Sequence, residues 1–161
     1  MSNRIRSDSA AAELIAALGL EPHPEGGHYA EVFRSTNRVQ TPRGERSALT
    51  TIDFLLARGE FSAWHRVVSD EVWHLLEGGP LRLHVIPADF STIQTIELGT
   101  TTRRHVVPAG AWQAAESEGE FAYVGATVGP GFEFADFSFG RDDSTLRTAL
   151  PQLAPGLTRL L

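Results

Sequence analysis

The chain has 161 residues, no cysteine and a formal net charge of −6. The length suits one domain with a real core, the lack of cysteine excludes disulfides, thiolate metal sites and cysteine nucleophiles, and the acidic balance argues against non-specific nucleic-acid binding. Hydrophobic residues make up 42% and charged residues 21%, a globular balance, and no apolar run approaches the ~20 residues of a membrane span.

The start, MSNRIRSDSAAAELIAALGLE, has two arginines and then an apolar stretch. Glu13 interrupts that stretch and no clean small-residue cleavage site follows, so it does not read as a signal peptide. With no cysteine to suggest an oxidising compartment, the expectation is a cytoplasmic protein. Ser7, Asp8 or Ser9 can cap a helix through AAAELIAALG, with Leu14, Ile15 and Leu18 on one face and Gly19 as the stop. Pro22 and Pro24 forbid its continuation.

From there the chain reads as strands: YAEVFRS, ALTTIDFLLA, SAWHRV, EVWHLLE, LRLHVI, TIQTIEL, RHVVP, WQAAE, FAYVGATV and FEFADFSF. Each is short, rich in β-branched or aromatic residues, and bounded by Gly, Pro, Asp or Ser. Turn signals recur roughly every ten residues, which favours a sandwich or barrel over βαβ units. No fixed-period repeat and no linker is visible, so one domain over residues 1–161 is the economical reading. The tail after Pro151 offers only a weak helix candidate, TRLL.

Chemistry concentrates in FSAWHRVVSDEVWHLLEGG, residues 61–79. Side chains alternate faces along a strand. Glu71, Trp73 and Leu75 therefore share one face, and Val72, His74 and Leu76 the other. On the preceding strand Ala63, His65 and Val67 share a face. If the Ser69-Asp70 turn joins the two as a hairpin, His65 and Glu71 meet across it, and His74 faces elsewhere. His84 alternates away from Leu81, Leu83 and Val85.

The spacing Gly59, His65, Val67, Glu71, Gly78 resembles the first cupin motif, and Pro108-Ala109-Gly110-Ala111-Trp112-Gln113 resembles the second. More narrowly, EPHPEGGHYAEVFRS, FSAWHRVVSDEVWH, GGPLRLHVI, VVPAGAWQAAE and PGFEFADF resemble a cupin branch found in bacteria and fungi. The resemblance covers nearly the whole chain. It implies an all-β fold, the double-stranded β-helix or jelly-roll barrel, with a short N-terminal helix, and a homodimer. It implies no established reaction.

The chain departs from the pattern of a metal-binding cupin, which offers three histidines and a glutamate. Val67 and Gln113 stand where two of those histidines fall. Valine cannot ligate, and a glutamine carbonyl is a poor ligand for zinc or iron beside imidazole. No cofactor is therefore expected; any metal would be a weak divalent ion on His65, Glu71 and Gln113. The catalytic candidates are His65, Glu71 and Tyr29, because a carboxylate beside an imidazole tunes its basicity. Gln113, Trp73, His28 and Tyr123 are the ligand-binding candidates. The Glu25-Gly26-Gly27-His28-Tyr29 stretch reads as a loop over the barrel mouth, its adjacent glycines suited to close backbone approach.

The leading functional expectation is a cupin that binds a small molecule in its barrel. One alternative is a metal-independent sugar-type isomerase or epimerase with His65 as general base, supported by Glu71 or Asp70. The other is a metal-dependent oxygenase or isomerase. Nucleic acid and membrane are not expected partners.

Overall fold

The computed structural model describes residues 2–161, with side chains from residue 10 onward. Helix α1, Ser2–Leu18, opens the chain. It begins earlier than its capping residues suggest: Ser7, Asp8 and Ser9 lie inside it, because continuing the backbone ladder outweighs a weak local preference to cap. Gly19, at φ 64, ends it as expected.

Thirteen strands follow among the described residues. They are β1 Glu21–Pro22, β2 His28–Arg34, β3 Arg38–Thr41, β4 Gly44–Ser47, β5 Thr50–Ala57, β6 Phe61–Val67 and β7 Asp70–Gly78. Then come β8 Leu81–Ile86, β9 Gln94–Leu98, β10 Arg104–Val107, β11 Trp112–Ser117, β12 Phe121–Gly129 and β13 Phe137–Phe139. One sheet has the order β1-β2-β5-β12-β7-β10, and the facing sheet β13-β6-β11-β8-β9; β3 and β4 form a small ribbon of their own. All the pairings are antiparallel. The result is the expected jelly-roll barrel.

The expected β6–β7 hairpin does not form. β6 pairs with β11 and β13, whereas β7 pairs with β12 and β10. Each strand has both edges taken by distant partners, so the chain crosses from one sheet to the other between Val67 and Asp70. His65 and Glu71 therefore face each other through the barrel interior, not along a ladder.

Alternation sorts the side chains as predicted. Inside the barrel lie Phe54, Leu56, Trp73, Leu75, Leu83, Val85 and Val124. On the outer face of the five-stranded sheet, Trp64, Ile86, Trp112 and Ala114 are covered by Leu146, Leu150 and Leu160. Those leucines belong to helix α2, Ser144–Leu153, and to the 3-10 turn Pro155–Leu160. α2 was not expected, since Pro151 reads as a break. It stands in the last turn, and the helix is started instead by Asp143, whose side chain accepts the Leu146 N–H at 2.8 Å. α1 covers the other sheet, with Leu14, Ile15 and Leu18 against Leu55 and Phe121. FEFADFSF is a strand only at Phe137–Phe139, because a 3-10 turn takes Phe134–Asp136.

Candidate functional site

A cavity of about 380 Å³ opens into the barrel, within the size range of small-molecule sites. β6 contributes His65 and Val67, β7 contributes Glu71, and β2 contributes Tyr29. The segment between β1 and β2 adds His23 and Glu25, and the chain after β12 adds Phe132, Phe134 and, on β13, Phe137.

Glu25 enters the barrel because of the two glycines that follow it. Gly26 has φ 112 and Gly27 φ 68, in the left-handed region that side chains disfavour. A Cβ on Gly26 would lie 2.2 Å from the Phe61 carbonyl oxygen, and one on Gly27 would lie 2.6 Å from that of Leu55. The bare backbone thus presses onto β5 and β6. The Ala63 N–H donates to the Glu25 carbonyl at 2.8 Å and fixes the segment there.

Five side chains form a buried polar floor. His65 is 2% exposed, Glu71 7% and Glu25 8%. The His65 Nδ1 lies 2.8 Å from the Ala63 carbonyl oxygen. A carbonyl only accepts, so Nδ1 carries the proton and Nε2 of the neutral ring keeps its lone pair. That Nε2 lies 3.3 Å from Glu25 Oε2, while Ser62 Oγ donates to Glu25 Oε1 at 2.8 Å. Phe137 stacks on the imidazole, with ring centroids 5.2 Å apart and an interplanar angle of 15°. His23 packs edge-on to Tyr29 at 4.4 Å, and its Nδ1 accepts the Glu25 N–H at 3.1 Å.

Burial dominates the electrostatics. It pushes the Glu25 carboxyl up to about 8, against the opposing bond from Ser62. Glu71 is raised to about 7, chiefly by burial and further by Glu25, with His65 and Gln113 opposing. Burial lowers His65, against the pull of Glu71 and the Ala63 carbonyl. His23 falls to about 4, through burial first and His65 second. At neutral pH Glu25 therefore holds its proton beside the unprotonated Nε2 of His65, and one proton serves both groups.

Behind Glu71 runs a relay. Trp73 Nε1 donates to Gln113 Oε1 at 2.7 Å, and Gln113 Nε2 donates to Glu71 Oε2 at 2.7 Å. An indole N–H can only donate, so it fixes which way the amide faces. Gln113 is fully buried and supports Glu71 from behind. Val67 offers no donor atom, and both ends of the Gln113 amide already hold a hydrogen-bond partner. That donor set does not fit a transition metal. Among the described residues no group of three or more His, Asp or Glu is placed to hold one.

His65, Glu71 and Tyr29 thus line one cavity, with Gln113 and Trp73 behind it. His28 and Tyr123 do not line it. His28 pairs with Leu55 on the ladder, and its buried Nδ1 has no partner among the described residues. Tyr123 packs on the outer face against the α1 cluster. Its hydroxyl is pushed up to about 12 by burial and by Asp53. The reason is register: both fall on the outward alternation of β2 and β12. Asp70 is exposed and accepts the Ala109 N–H at 2.8 Å, pinning the turn before β11. His74 faces outward, beside Arg104 and Gly125. Sequence reasoning did not single out Glu25 or His23; the Gly26-Gly27 pair was the available signal, since it marks where backbone approaches backbone.

Two antiparallel sheets closed around a polar floor, with His65 and Gln113 on neighbouring strands and Glu71 on the facing sheet, define a cupin barrel. The chain belongs to that superfamily: the family described as "Cupin superfamily (DUF985)" matches residues 12–140. A hypothetical protein from Leishmania major is 31% identical over 93% of this chain and 97% of its own, with a TM-score of 0.80. A protein from Shewanella oneidensis is likewise 31% identical, over 92% and 94%, with a TM-score of 0.80. Oxalate decarboxylase from Bacillus subtilis shares the fold at 15% identity and a TM-score of 0.57, over 87% of this chain and 36% of its own. No curated protein matches the chain. Among the described residues no helix is long and apolar enough to cross a membrane.

Proposed function

We propose that this protein binds a small molecule in the barrel, with the ligand resting on His65, Glu71 and Glu25. One observation carries the reading: ionisable groups buried at a cost open onto a cavity of about 380 Å³ when they could have been sealed by apolar side chains. The test is native mass spectrometry of the purified chain after exposure to a metabolite extract. A stoichiometric adduct lost in His65→Ala supports the reading. An unliganded mass under every condition rejects it.

A second reading, a metal-independent isomerase or epimerase, draws support from the 3.3 Å approach of Glu25 Oε2 to His65 Nε2. A base and a protonated acid side by side can take a proton from one atom and return it to another. Such an enzyme would exchange a substrate hydrogen for solvent deuterium, and a ligand recovered from deuterium oxide without label would exclude it. On either reading no metal is needed, and elemental analysis should find well under one equivalent per chain.

Cytoplasmic residence and a homodimer belong to the same proposal. The dimer is supported by Phe33, Leu76 and Val106, which are about half exposed on the six-stranded sheet. Light scattering giving a monomer at all micromolar concentrations would remove it.

A further inference from the structure

The cavity's charge is one-sided. Five glutamates line it, Glu21, Glu25, Glu31, Glu71 and Glu133, against one arginine. That arginine is already spent: Arg34 bonds Glu31 through Nε and Nη2 at 2.8 Å each, and Glu133 through Nη1 at 3.0 Å. The two histidines facing the floor, His23 and His65, are both held towards the neutral form. Among the described residues no other cation lines the cavity.

Two more features bear on the charge of a ligand. Glu71 uses Oε2 for Gln113, and its carboxyl lines the cavity. The facing wall is aromatic: Tyr29, Phe132, Phe134 and Phe137 all line the cavity. Ring faces carry partial negative charge and attract cations, more strongly where water is excluded. An anionic ligand would find no free cation among the described lining residues and would meet ring faces on the other side. A neutral polyol would hydrogen-bond the acids but do nothing to favour their ionised forms.

We infer that the cavity takes a small organic cation, an ammonium group on a short carbon frame, seated between the Glu25 and Glu71 carboxyls and the aromatic wall. The inference rests on the small-molecule reading and names its ligand class. It also accounts for the buried acids. A bound cation favours their ionised forms, so binding expels protons from carboxyls that are otherwise protonated near neutrality. His23, His65 and Tyr29 face the same space; burial holds the two histidines towards the neutral form, and a cation keeps them so.

The experiment is calorimetry on the full chain with three probes of one shape: isopentylammonium, 3-methylbutan-1-ol and isovalerate. The ammonium should bind at least tenfold tighter than the alcohol, and the carboxylate weakest. Its affinity should fall about tenfold per pH unit below neutrality for each proton expelled. Titrations in buffers of different ionisation enthalpy should register that release. Glu71→Gln keeps the shape and the bond to Gln113 and should cost at least tenfold in ammonium affinity. Phe134→Ala, at an exposed rim position, should weaken binding severalfold with the melting temperature unchanged. The alcohol or carboxylate matching the ammonium, or a pH-independent affinity, would overturn the inference. Native mass spectrometry of the extract-exposed protein separates the two levels. A neutral or anionic adduct sinks the cation and leaves the small-molecule reading standing. No adduct and no probe binding sinks both.

Discussion

His65 and His84 are each 2% exposed, each lies beside a glutamate, and each is held by burial below the ordinary imidazole pKa. Their surroundings differ in one respect. His84 has both nitrogens satisfied, Nδ1 by Thr95 Oγ1 at 2.9 Å and Nε2 by Glu116 Oε2 at 2.8 Å. Arg159 completes the balance on Glu116, and the cluster of Trp64, Leu146 and Leu150 seals that side of the sheet. His65 has Nδ1 on the Ala63 carbonyl and Nε2 3.3 Å from a carboxyl that burial raises, and it opens onto the cavity. Buried histidine beside glutamate is thus not a sufficient mark of function, and what separates the two sites is the cavity in front of His65.

The largest expected effect comes from Gly26→Ala. It sets a Cβ against the Phe61 carbonyl at a positive φ and should cost ~3 kcal/mol or more in chemical denaturation. It would also lift Glu25 away from His65, making the two histidines more alike. Next, His84→Ala should cost ~2–3 kcal/mol, because it removes two hydrogen bonds and empties a buried position, and should leave ligand binding intact. His65→Ala should cost only ~1 kcal/mol and abolish binding. Paired thermal melts and binding measurements on these two variants would break the comparison if the outcomes were exchanged.

A subtler difference lies in pH. Glu25 and Glu71 are raised from the ordinary 4.5, so above it the folded protein holds protons that the unfolded chain has lost. Stability therefore falls as pH rises towards about 8. His23, lowered to about 4, works in the opposite direction, but only between about 4 and 6.5. The uncompensated decline should appear between pH ~6.5 and ~8. Glu25→Gln mimics the protonated acid and should recover ~1–2 kcal/mol of it. Denaturation curves across that window would show an unchanged slope if Glu25 were ionised throughout. The smallest effect is expected from Trp73→Phe. It removes one hydrogen bond, ~1 kcal/mol, and frees the Gln113 amide to turn, so the Glu71 carboxyl should titrate higher by infrared spectroscopy.

Strand alternation was enough to separate Glu71 from His74, because a strand allows two faces and no more, whereas the place of His65 beside Glu71 rested on a hairpin that does not form and on the motif spacing. Alternation also turned His84 away from Leu83. The partners of those residues were less legible. Glu25 reaches the floor only because Gly26 and Gly27 lie against Phe61 and Leu55, a contact set by distant strands. Gln113 was placed at the right motif position, but its direction depends on the Trp73 N–H, which no spacing encodes. The hairpin reading of β6 and β7 failed because edge pairing is decided by β11, β12 and β13. α2 was hidden by Pro151, although Leu146 and Leu150 carry the helical spacing that covers Trp64 and Trp112.

Arg34 has a consequence for timing. It ties β2 to the chain beyond β12 through Glu133 and the Phe132 carbonyl, both at 3.0 Å, at the rim and partly in water. A cation arriving there meets the carboxylates that already hold the guanidinium, so passage is an exchange of counterions at a doorway. Dissolved salt competes for the same carboxylates. Residence time inside the barrel should therefore shorten as ionic strength rises, even where the contacts on the floor are unchanged.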